Sequence, residues 1–244
     1  DGDESGYNER KAFPRQLIAR TRMTATLDQV YQRLFLAYGH QHWWPGKTPF
    51  EVMVGAVLVQ NTAWKNVERA IANLRDRDLL CPRALYQLPV EELAELIRPA
   101  GYYRIKARRL HNLLKMVAER YDSSLETMFQ SDLDTLREEL LSVNGVGPET
   151  ADSILLYAAG MPTFVVDTYT QRVFARHGWI DFDAGYHEIK EYFESGLPRD
   201  PHQYNEYHAL LVRVGHLHCR KTPNCDGCPL AELLPDGGPR QPEF

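Results

Sequence analysis

The chain has 244 residues, 43% of them hydrophobic, which is enough for a packed core in one large domain or two small ones. No apolar run approaches the ~20 residues of a bilayer span; the longest, Val52 to Val59, reads as a core segment, so a membrane partner is not expected. A net charge of −5 argues against a nonspecific nucleic-acid coat and requires any such partner to be met by a local basic face.

Residues 1 to 22 are polar and read as a tail; without a basic start or an apolar stretch, they point to a cytoplasmic, nucleoid-associated protein. Leu27, Val30, Tyr31, Leu34, Phe35 and Tyr38 then form an apolar stripe of helical period closed by Gly39. Further helices are predicted around 50–60, 64–76, 90–98, 104–120, 132–142, 148–159, 168–177, 186–195 and 202–217, with Pro or Gly at most joints. Cys81, before Pro82 at a helix start, reads as a lone buried thiol. The basic cluster Arg104-Ile105-Lys106-Ala107-Arg108-Arg109 is either a solvated helix face or the local basic face, with Lys106 and Arg108 as contacts. Residues 235–244, rich in Pro and Gly, read as a second tail. No alternation of period two and no internal repeat is visible, and the fold class is all-α.

The sequence is organised around residues 140–174. One helical pattern (Leu133, Leu136, Leu140) runs into Asn144-Gly145-Val146-Gly147, and another (Ala151, Ile154, Leu155, Ala158) starts at once, so two helices meet in a glycine hairpin. The two glycines permit φ > 0 and close backbone approach, and the free N–H groups at the second helix start suit a phosphate. About twenty residues on, Val165-Val166-Asp167-Thr168 places an acid between a buried apolar pair and a helix, where an aspartate is ordinarily an N-cap.

Hairpin, Gly-rich turn and Val-Asp-Thr together resemble the endonuclease III, or helix-hairpin-helix-GPD, superfamily of DNA glycosylases. The resemblance implies two helical lobes with a DNA cleft between them: a six-helix lobe at about 49–162, and a second lobe from 23–48 plus 163–234. It implies that Asp167 is the catalytic acid, stabilising positive charge on the sugar or activating water. Glu149 joins it among the catalytic positions, because it stands where strand-cutting members carry the lysine that forms an imine. Glutamate cannot do so, and a monofunctional, monomeric glycosylase acting on damaged double-stranded DNA is expected. Gln60, with Asn61 beside it, takes the place of the polar loop that fills the gap left by an extruded nucleotide. Trp43-Trp44-Pro45 and Trp64 are similar to the base pocket of the MagIII-type 3-methyladenine glycosylases, where an aromatic sandwich suits a cationic alkylated purine. Oxidised pyrimidines, or a non-catalytic damage-binding module, are the alternatives.

Cys219-x5-Cys225-x2-Cys228 is too dense for core filling and reads as a metal loop. The family's loop is Cys-x6-Cys-x2-Cys-x5-Cys around a [4Fe-4S] cluster; here the first gap is one residue short and Leu234 replaces the fourth cysteine. Three readings stay open: a cluster completed by His218, His216 or Cys81, a zinc ion held by three Cys and one His, or an empty loop that presents Arg220 and Lys221 to a phosphate.

Overall fold

The stripe of Leu27, Val30 and Leu34 lies on a helix longer than its apolar pattern. In the computed structural model, which describes the backbone of residues 13–242 and side chains from Thr26 on, α1 runs from Phe13 to Tyr38. The segment 13–22, read as tail, is therefore helical, while residues 1–12 of that tail lie outside the described residues. Eleven further α-helices follow: α2 (Pro49–Leu58), α3 (Trp64–Arg75), α4 (Pro82–Gln87), α5 (Val90–Leu96), α6 (Tyr103–Tyr121), α7 (Leu125–Met128), α8 (Leu133–Ser142), α9 (Pro148–Ser153), α10 (Thr168–Arg176), α11 (Tyr186–Gly196) and α12 (Pro201–Leu217). No strand occurs among the described residues. Residues 49–153 hold eight α-helices, α2 to α9; of these α4 and α7 are too brief to leave a periodic signature in the sequence.

Buried side chains form two hydrophobic clusters. One is built on α2 to α9 and runs from Phe50 to Leu155; the other joins Leu27, Val30 and Leu34 of α1 to residues 156–230. The chain passes from one to the other at the end of α9, where the helix widens into a π-helical turn over Ile154–Ala158. Ile154 and Leu155 face the first cluster and Leu156 the second. In the second cluster α1 packs on α11 and α12, and α12 packs on α10.

α2 shows how local chemistry sets an element. Thr48 caps it by accepting from Glu51 N–H at 3.2 Å, Pro49 opens it, and the Glu51 side chain reaches back past the cap to accept from Lys47 N–H at 2.8 Å. Every residue from Phe50 to Leu58 is buried, which makes α2 the central post of the first cluster. At the far end of the chain, Arg240 N–H donates to Arg176 O at 2.9 Å, so the stretch read as a second tail folds back onto α10.

Candidate active-site cleft

The residues lining the largest cavity, of about 920 Å³, come from elements of both clusters. Trp43 and Trp44 enter from the segment after α1, Gln60, Asn61 and Thr62 from the end of α2, and Trp64 from α3. Gly145 to Glu149 come from the hairpin, Asp167 from the start of α10, and His208 from α12. The sequence-predicted residues Asp167, Glu149, Gln60, Asn61, Gly145, Val146, Gly147, Trp43, Trp44 and Trp64 thus share one cavity. Lys106, Arg108 and the cysteines do not.

Asp167 serves as N-cap and cavity residue at once. Its Oδ1 accepts from Thr170 N–H at 2.7 Å, and its Oδ2 stands 3.7 Å from His208 Nε2, with the side chain 13% exposed. Burial pushes this carboxyl up, but the His208 imidazole and the Thr170 N–H outweigh it and leave the group below its ordinary value. Glu149 goes the other way: burial first, then the Asp167 charge, push its carboxyl up. Two neighbouring carboxyls therefore face one cavity with opposite preferences for the proton.

Only one hairpin glycine uses a glycine's freedom. Gly145 has φ +97°, and a Cβ there would lie 2.3 Å from Arg109 Cγ. Gly147, which would permit positive φ as well, has φ −94° and open space around it; it is the N-cap of α9. Gln60 is fixed between the two helices of the cavity wall, its amide donating to Thr150 Oγ1 at 2.6 Å and its carbonyl accepting from Arg109.

The aromatic wall stacks on α2 where it has no side chain. Trp44 lies edge-on to Trp64 at 5.1 Å and stacked on Tyr157 at 5.0 Å, and an added Cβ at Gly55 would meet both indoles. The segment is tied to α12 by Gln41 N–H, which donates to Glu206 at 2.7 Å.

Lys106 corrects the reading of the basic cluster. It is 2% exposed, and its ammonium donates to Leu58 O (2.8 Å), Ala100 O (2.8 Å) and Thr62 Oγ1 (3.0 Å), fastening the end of α2 to the turn before α6. All three hydrogens are committed, so none is left for a phosphate. Burial, with the Arg109 charge next, pushes it down to about 8. Arg108 is exposed away from the cavity, and Arg109 is the cluster's residue that reaches it. Sequence reasoning also missed His208, Tyr157, Tyr169 and Tyr186. Tyr186 donates to the buried Asp152 at 2.8 Å, which also pairs with Arg137 at 2.8 Å.

Cys219, Cys225 and Cys228 line a separate small cavity with Arg176, His177, His218 and Leu234. They supply three of the four thiolates a cubane takes, Leu234 supplies none, and no group of three metal ligands in binding geometry is found among the described residues. Cys81 is exposed at the start of α4, neither buried nor at this loop, and His216 does not line the cavity. The loop is nonetheless fastened to α10: Arg172 donates to Cys219 O (2.6 Å), and Arg176 to Cys219 Sγ (3.3 Å), Arg220 O (2.6 Å) and Lys221 O (2.9 Å). Among the described residues no helix is long and apolar enough to cross a membrane.

Residues 54–199 match the model of the HhH-GPD superfamily of base excision DNA repair proteins. A candidate DNA repair glycosylase of Methanocaldococcus jannaschii is 54% identical over 207 residues, 84% of this chain and 94% of that protein. The endonuclease III of Bacillus subtilis is 30% identical over 79% of this chain and 83% of its own. Among solved structures, the H. pylori 3-methyladenine DNA glycosylase MagIII bound to 1,N6-ethenoadenine superposes with a TM-score of 0.69 at 28% identity, covering 80% of this chain and 97% of that one. A trapped endonuclease III–DNA covalent intermediate does so at 0.73 and 27% identity, covering 88% and 94%.

Proposed function

The chain belongs to the HhH-GPD superfamily of base excision DNA repair proteins, and on that premise we propose that it is a monofunctional DNA glycosylase that hydrolyses the N-glycosidic bond of an alkylated purine in double-stranded DNA. The observation that carries the reading is Asp167: one carboxylate oxygen is anchored to the backbone, and the residue lines a cavity large enough for an extruded base.

In this mechanism the aromatic wall of Trp43, Trp44 and Trp64 receives the base, and Gln60 fills the space it leaves. As the bond lengthens, positive charge grows on the sugar, and a fixed, ionised carboxylate stabilises it without reorganising. Water completes the substitution. A cationic purine gains twice in such a site, from the ring faces and from the acidic lining, where Arg109 is the sole Lys or Arg among the described residues and is turned to Gln60. MagIII bound to 1,N6-ethenoadenine is consistent with a modified purine.

The absence of strand cleavage follows from the amine chemistry. The hairpin position two residues beyond Gly147 is Glu149, and no lysine is among the cavity's described lining residues. The cysteine loop takes part in no step. We read it as a structural centre for an iron–sulfur cluster at Cys219, Cys225 and Cys228, holding through Arg172 and Arg176 the helix that starts at Asp167.

A glycosylase screen over oligonucleotide duplexes carrying single lesions tests the proposal, with Asp167→Asn as control. Asparagine caps a helix about as well as aspartate, so the variant keeps its melting temperature while base release falls about a hundredfold or more. Unchanged release by Asp167→Asn would falsify the assignment, and activity confined to oxidised pyrimidines would move the substrate class.

A further inference from the structure

Behind Asp167, two polar groups that the steps above leave unused form a chain: His208, which lines the cavity, and Tyr157, which stands behind Trp44. Tyr157 projects from the π-helical turn with its ring against Trp44, and its hydroxyl is 2.6 Å from His208 Nδ1. His208 is 4% exposed on α12, and its other ring nitrogen, Nε2, is enclosed without a hydrogen-bond partner. That nitrogen stands 3.7 Å from Asp167 Oδ2, the oxygen not taken by the Thr170 N–H. A buried ring nitrogen with no partner is costly, and its position beside a carboxylate calls for a reason.

Tyr157 is able to act as the donor of its pair with His208. Burial, with the Asp167 charge next, holds its hydroxyl well above the ordinary tyrosine value, so it stays neutral and has a proton to give. When it gives that proton to Nδ1, Nδ1 accepts, and a neutral imidazole then carries its own proton on Nε2.

We propose that His208 is a positioning residue for Asp167 and that Tyr157 fixes its tautomer, so that an Nε2–H steers the carboxylate oxygen that faces the sugar. The proposal rests on the reading of Asp167 as the acid of glycosidic cleavage. The gap of 3.7 Å exceeds a hydrogen bond; it closes when a nucleotide occupies the site, as such contacts do on substrate binding. The ring of Tyr157 also backs Trp44 of the aromatic wall, so one side chain supports both the wall and the partner of the acid.

Two measurements on the full chain test this. Long-range 1H–15N spectra of the wild-type protein report the tautomer without any turnover: His208 is expected protonated on Nε2 with Nδ1 as acceptor, and protonation on Nδ1 alone overturns the proposal. Single-turnover base release reports the positioning. Tyr157→Phe keeps the ring on Trp44 and loses the donor, and its rate is expected to fall about ten- to a hundredfold with DNA affinity held within about twofold. His208→Gln, which retains an N–H, is expected to recover part of what His208→Leu loses, and Tyr157→Phe is expected to add nothing in the His208→Leu background. Equal losses in the Gln and Leu variants, or an additive double variant, overturn it. Wild-type protein inactive on every lesion would end the reading of Asp167 instead, and the spectrum would still decide the tautomer.

Discussion

Replacing Lys106 with methionine separates a buried fastening from a DNA contact. The change removes an ammonium that donates to three enclosed oxygens and leaves Leu58 O, Ala100 O and Thr62 Oγ1 short of a donor. Each stranded acceptor costs about 1–2 kcal/mol. Against this, methionine no longer carries a buried charge, and the fall of the lysine from 10.5 to about 8 puts that relief at about 3 kcal/mol. The difference is a net loss of about 0–3 kcal/mol, centred on ~1.5 kcal/mol, or roughly 5 °C in melting temperature for a chain of this size. The pH dependence has a definite sign. Between pH 8 and 10.5 the unfolded chain binds more protons at this lysine than the folded one, so wild-type stability rises with pH across that window. The variant lacks that rise, and its deficit widens from pH 8 upward. Thermal melts across pH and DNA-binding titrations across salt are the assays. Loss of a phosphate contact lowers the slope of log K against log salt by about 0.9; a drop of that size in Lys106→Met, with an unchanged melting temperature, would refute the burial argument.

Three further outcomes are expected. Glu149 has a raised carboxyl, so its contribution to stability is present below the unfolded value near 4.5 and is lost as pH rises through the folded one. Glu149→Gln, neutral throughout, should therefore melt higher than wild type by a margin that widens from acid to neutral pH, and a narrowing margin contradicts the assignment. Glu149→Lys places an amine at the hairpin, and borohydride should trap a covalent protein–DNA adduct that wild type does not form; strong trapping by wild type would end the monofunctional reading. Freshly purified protein should absorb near ~400 nm and carry iron that Cys225→Ser loses. A colourless sample with one zinc, or with no metal, removes the cluster from the proposal.

The helices were legible because their apolar positions repeat every 3.6 residues, and the hairpin was legible because few contexts place Gly145 between two such patterns. Lys106 shows what a charge run hides. It lies four residues before Leu110 and seven before Leu113, on the buried stripe of α6, so the same periodicity that marked the helix also turned this lysine inward. Arg108 and Arg109, its neighbours in the run, point to solvent and to the cavity respectively. His208 and Tyr157 carried no local signal, since they meet only when α12 packs beside the turn after α9, 51 residues away in sequence. Neither the positive φ of Gly145 alone nor the start of α1 at Phe13 follows from residue type, because glycine permits several conformations and a polar segment can extend a helix that later turns anchor.

The π-helical turn at Ile154–Ala158 holds one more residue than a regular turn of the same rise. Inserting one further residue there exceeds what the turn already absorbs, and what lies on one side would rotate by about 100° and shift by about 1.5 Å relative to the other. Each hydrophobic cluster could still assemble from its own side chains, while the hairpin and the acid would no longer share a register. That one-codon change is the shortest route to a well-folded protein that has forgotten how to aim.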